Sequence, residues 1–206
     1  MKEFFRIVEL LRWDDHRYYH QCRINQTLHL LSALSFLVAY GLLFVDPAAA
    51  ALLGWVVGMG TRQSGHFFFE PRGYDRINQA SDAHKEAIKV GYNMRRKGIL
   101  LSVWLALPVL LYFNRSLFGL IDPSTGPGGF VHDVGLVWLA LGTAGVLLRT
   151  VHLFFLRGPI WGLAWATKIL TDPFHNVDLY WRSPLALLRG ERYDPMQPEG
   201  GRHLEV

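Results

Sequence analysis

The sequence predicts an all-α fold, a polytopic membrane bundle of about four transmembrane helices flanked by an N-terminal amphipathic helix and a C-terminal interfacial helix. Three observations predict it. Half of the residues are hydrophobic and only 18% are charged, and the mean hydropathy is +0.15, high for a water-soluble domain of this length. The apolar residues are gathered into runs close to the roughly 20 residues that cross a bilayer as a helix. The basic residues behind the net charge of +4 flank those runs instead of forming one polar face, so they read as topology charges and no nucleic-acid partner is expected. With Cys22 the only cysteine, no disulfide can form within the chain.

Along the chain, residues 2–13 place Phe4, Val8 and Leu11 on one helical face and Lys2, Arg6 and Glu9 on the other. That pattern suits a helix lying in the membrane interface, or one packed on the chain's own cytoplasmic segments. Acidic residues interrupt the apolar positions there, so a signal peptide is not expected. The spans follow at 27–45, 47–69, 98–114 and 131–156, the third short and kinked at Pro108. Residues 160–170 are too few to span; with Trp161 and Trp165 they predict an interfacial or re-entrant helix. Lys and Arg crowd residues 2–23, 62–97 and 157–192, while the connections at 46–48 and 122–129 carry none. Both termini are therefore expected in the cytoplasm, in a bacterial inner membrane or the endoplasmic reticulum. Residues 1–192 form one integral membrane domain and 193–206 a flexible tail. Gly54 and Gly58 allow close helix approach, within the chain or in an oligomer.

Of nine histidines, His20, His29, His66, His152 and His175 fall at or near the cytoplasmic ends of the spans, His84 lies in the cytoplasmic loop, and His132 faces the other side. An imidazole inside a span needs a partner. Several at one level of a bundle, with a carboxylate, make a transition-metal site, because neutral imidazole suits iron, zinc and copper. His66 and Glu70 in "SGHFFFE" share one helical face, one turn apart.

"YYHQCRINQTLHLL", with His20, Asn25 and His29, together with "GHFFFE", carrying Gly65, His66 and Glu70, resembles the membrane-bound 2-hydroxy fatty acid dioxygenase family of fatty acid alpha-oxidation. The resemblance covers residues 18–70 and is that of a distant relative: the first motif lacks the family's usual proline, and a long polar stretch follows Glu70. It implies Fe(II), dioxygen as co-substrate, and the loss of one carbon from a 2-hydroxy fatty acid or another membrane lipid. His20, His29 and His66 are assigned as ligands, with His152 and His175 as further ligands from the other half of the bundle. Glu70 is a catalytic group, either ligating or fixing the His66 tautomer, and Asn25 does the latter for His29. His20 and His29 are nine positions apart, half a turn out of register, so a helix break near 23–26 is required if both bind. Arg62 and Arg149 are placed to clamp a lipid carboxylate or phosphate, with Glu70 or substrate as the expected partner of Arg149. Asp172, before Pro173, reads as the cap of a helix carrying His175. Two other classes compete: a four-helix membrane protein holding haem between histidines, and a non-enzymatic lipid-binding or scaffold protein.

Overall fold

The computed structural model describes residues 1–90 and 94–196, with the backbone alone for 94–96. These residues are helical, with isolated β-bridges at Cys22–Tyr193 and Asp75–Ala80. Helix α1 (Lys2–Tyr19) buries Ile7, Val8 and Leu11 against Leu153, Ala164 and Trp165, and leaves Lys2, Arg6 and Glu9 in the open. The apolar face of this amphipathic helix thus packs on the rest of the chain.

The chain then breaks and restarts as α2 (Arg23–Leu42). Asp46 caps the next helix through its carboxylate, which accepts from the Ala49 amide at 3.0 Å, and Pro47 sits in the first turn, where its missing N–H costs nothing. Helix α3 (Pro47–Leu52) runs on through a π-helical stretch, Leu53–Met59, into α4 (Gly60–Phe68) as one rod. The short α5 (Asp82–Ile88) is capped by Ser81. Helix α6 (Met94–Phe113) contains Pro108, and α7 (Gly129–Arg157), α8 (Pro159–Tyr180) and α9 (Ser183–Leu188) complete the order. Among the described residues α7 is long and apolar enough to cross a membrane, and residues 97–113 form a shorter apolar helix.

Gly135 of α7 lies so close to α3 that an added Cβ would stand 2.5 Å from the Ala48 carbonyl oxygen. The connections at 46–48 and 122–129 therefore share one end of the bundle. At that end Trp55, Leu111, Val134 and Trp138 pack together, with the Trp55 indole N–H donating to the Trp138 carbonyl at 2.9 Å. The opposite end holds the break between α1 and α2 and the end of α4.

Three expectations need correction. The run 160–170 is only the first half of a 22-residue helix. Asp172 does not cap a new helix at Pro173; it is buried and accepts from Lys168, one turn back, at 2.6 Å, which holds the turn entering the proline together. The tail is also not free from residue 193. Asp194 donates its amide to the Gln21 carbonyl at 2.8 Å, its carboxylate takes Arg23 at 2.9 Å and Gln26 at 2.9 Å, and Met196 is buried. Residues 197–206 lie outside the described residues.

Candidate metal centre

The break between α1 and α2 is built by the first turn of α2. Asn25 Nδ2 donates to the Tyr19 carbonyl at 2.7 Å and Gln26 Nε2 to the His20 carbonyl at 2.7 Å, satisfying carbonyls that the end of α1 leaves orphaned. The break falls at residues 20–22, just ahead of the expected position, and turns His20 back toward His29. Helix α4 returns beside α2 because residue 65 is glycine; a Cβ there would lie 2.1 Å from Asn25 Oδ1.

Three imidazoles from three stretches of chain meet as a result. Ring centroids are 4.0 Å apart for His20 and His29, 5.3 Å for His20 and His66 and 4.9 Å for His29 and His66. One nitrogen of each lies within 4.8 Å of the others. Nitrogens placed ~2 Å from a common ion put ring centroids on the order of 4–5 Å apart, so the rings need little movement to close on a metal.

The hydrogen bonds leave the nitrogens a metal needs. His66 Nδ1 meets Glu70 Oε2 at 2.6 Å; as a donor to that carboxylate it leaves the Nε2 lone pair for an ion. The Tyr180 hydroxyl lies 2.8 Å from His20 Nδ1 and 3.2 Å from His16 Nδ1. With one proton it donates to one ring and accepts from the other. If His20 Nδ1–H donates to it and it donates to His16, the His20 Nε2 lone pair is free, and that atom is buried without a protein partner. His29 is wholly buried, and neither of its ring nitrogens has a hydrogen-bond partner. Buried polar atoms are almost always satisfied. Orphaned nitrogens on His20 and His29, beside the His66 ring, fit a transition metal, and neutral, crowded imidazoles are the donor set that iron, zinc or copper takes.

Burial holds His20 well below the ordinary histidine range and lowers His16 to about 4, while burial keeps the Tyr180 phenol protonated by raising it. Burial would raise Asp15, but the Lys168 ammonium overrides it and holds the carboxyl at about 2. Between pH 6.5 and 4 the unfolded chain therefore binds protons at His16 that the folded chain refuses, so stability falls as pH falls through this window. The His16 shift alone corresponds to ~3 kcal/mol. Metal-free protein in detergent should lose thermal stability steadily from pH 7 to pH 4, before Asp15 titrates; a flat melting profile over that range would contradict these environments.

The other nominated residues are placed differently. Glu70 stands behind His66, bridged to Lys89 at 3.2 Å, and is outside the set of atoms close enough to share an ion. Asn25 does not orient His29; its amide is spent on Tyr19, as above. His152 is exposed and accepts from Arg149 Nη1 at 2.9 Å. His175 is half-buried and shares a small polar pocket with His20, Arg12 and Asp172. Neither joins the three-imidazole group. Arg149 binds the Val90 carbonyl, not Glu70. Arg62 does line the interior, with Asp172 at 3.8 Å. His84 is exposed at the start of α5. Tyr180 and Gln26 escaped the sequence reading. His16 carried one visible signal, its four-residue spacing from His20.

His66 opens onto a cavity of about 570 Å³ whose wall is mostly apolar, with Phe36, Trp55 and Trp165 among its residues. Arg62, Lys89, Lys97 and Lys168 also line it, together with Asp14, Asp15 and Asp172. No protein-family profile, no curated protein and no solved structure matches this chain.

Proposed function

We propose that the chain is a polytopic membrane protein whose His20–His29–His66 centre binds ferrous iron and uses dioxygen to oxidise a lipid acid, a 2-hydroxy fatty acid shortened by one carbon. The observation that carries this reading is the group of three buried imidazoles, with unpartnered nitrogens, at the charged end of a long apolar cavity. Support for the membrane comes from the outer surface. Leu31, Leu34 and Val38 on α2, Ile99, Val103, Leu105 and Val109 on α6, and Leu147, Leu148 and Val151 on α7 all stand exposed. Water penalises so much exposed apolar surface, and a hydrocarbon layer matches it. The residues then span at 27–45, 47–69, 98–114 and 131–156, with the centre at the cytoplasmic boundary.

The cavity is lined from His66 to Ala50, 16 residues along the α3–α4 rod, or on the order of 20 Å. An extended acyl chain fits such a space, with its head beside the imidazoles. A 2-hydroxy acid and dioxygen yield the acid one carbon shorter, carbon dioxide and water; the atoms balance and no external reductant is needed. Bound iron would supply dioxygen activation and a chelation point for the carboxylate and hydroxyl. The chain's residues do the rest. Glu70 keeps the proton of His66 on Nδ1, Tyr180 keeps that of His20 on Nδ1, Arg62 adds positive charge at the head of the substrate, and the apolar wall excludes water.

Protein loaded anaerobically with Fe(II) and given 2-hydroxyhexadecanoic acid and air should release pentadecanoic acid and carbon dioxide in equal amounts, and protein loaded with Zn(II) should release neither. Iron-loaded protein that consumes no oxygen with any 2-hydroxy acid would contradict the reading. Glu70→Gln should weaken metal affinity by about 10–100-fold, the usual effect of losing the carboxylate behind a ligating histidine, measured by competition with a chelator.

A further inference from the structure

Lys97 is a buried ammonium without a partner. It is 9% exposed, lines the same cavity as His66, and makes no hydrogen bond or ion pair with another described residue. The other charges at that end are matched. Lys168 binds Asp15 at 2.5 Å and Asp172 at 2.6 Å, Lys89 binds Glu70, Asp14 takes Arg17 at 2.7 Å, and Arg62 reaches Asp172. A buried charge is costly unless paired. An unmatched cation facing a cavity is therefore a place for an anion. Its positive charge also acts on the His66 ring, which lines the same cavity.

Resting on the lipid-acid reading of the centre, we infer that Lys97 is the positioning residue that anchors the substrate's carboxylate and makes the protein choose a free acid over its ester. A compact ammonium on a flexible stem suits this role, since it follows a carboxylate without demanding a forked geometry. The apolar wall beyond it takes the acyl chain, and the acid head is drawn back toward His66. Arg62 shares Asp172 with Lys168, so Lys97 is the cation there that has no counter-charge in contact among the described residues.

The test uses full-length iron-loaded protein under argon, a displaceable fluorescent fatty acid, and two competitors, 2-hydroxyhexadecanoic acid and its methyl ester. Wild type should prefer the acid by at least about tenfold, the ratio that one 1.4 kcal/mol contact yields. Lys97→Met, which keeps the apolar stem, should lose that preference while binding the ester as before and holding the same iron; Lys97→Arg should restore most of it. An unchanged acid-to-ester ratio in Lys97→Met, or an equal loss of both competitors, would overturn the assignment. Wild type that binds neither competitor, or holds no iron, would instead defeat the underlying reading of the centre.

Discussion

His29→Leu will bind no iron and yet, without metal, will be more stable than the wild type. Most replacements of a wholly buried side chain destabilise, so this sign is a sharp consequence of the geometry. Both ring nitrogens of His29 are buried without hydrogen-bond partners, and each unsatisfied polar atom costs about 1–3 kcal/mol. Leucine of similar bulk removes that cost and should stabilise the metal-free protein by about 1–3 kcal/mol. The wild type recovers its cost only when a metal binds, gaining ~4 kcal/mol at a thousandfold excess over the dissociation constant. Thermal unfolding in detergent with and without Fe(II) under argon checks both halves. A variant that melts below metal-free wild type and still responds to metal would mean that His29 is a packing residue.

Gly65→Ala should be the most damaging single-methyl change in the centre. Its Cβ would sit 2.1 Å from Asn25 Oδ1 and 3.5 Å from His29 Cδ2. Asn25 has no exposure and is held by Tyr19, so it cannot swing aside. Helices α2 and α4 must separate at the level of the imidazoles, and overpacking of this kind costs about 1–3 kcal/mol. The larger effect falls on metal affinity, because His29 and His66 move apart with their helices. Asn25→Ala removes the obstructing oxygen, so the double variant should be more stable than the sum of the two single losses implies. Strict additivity of the two changes would show that the close approach is not what residue 65 permits.

Much of this site was legible before any coordinates. Imidazoles at positions 20, 29 and 66 reveal themselves because each stands where an apolar run meets charge, and the out-of-register spacing of His20 and His29 demanded the break that the structure shows. The α3–α4 rod was visible as an unbroken apolar stretch after an Asp-Pro start. Lys97 and Tyr180 were not visible. Their contacts cross the fold, with Tyr180 and His20 separated by 160 positions, and a lysine at the end of an apolar run looks the same whether it faces headgroups or a cavity. His152 and His175 misled for the converse reason: position along a span fixes the depth of a residue but not its direction around the helix. Arg149 is one turn of α7 from His152, and the two satisfy each other and the Val90 carbonyl, which removes both from the centre. Asp172 followed the usual pattern of a cap before proline, but Lys168 one turn earlier offered a stronger partner.

The central claim is that His20, His29 and His66 hold one ion between them. Elemental analysis of protein purified from iron-replete cells, wild type beside His66→Ala, addresses it directly. The wild type should carry about one iron per chain, and His66→Ala, folded by the same chromatographic and spectroscopic criteria, should carry almost none. A wild type without stoichiometric metal, or a variant that keeps it, would contradict the account.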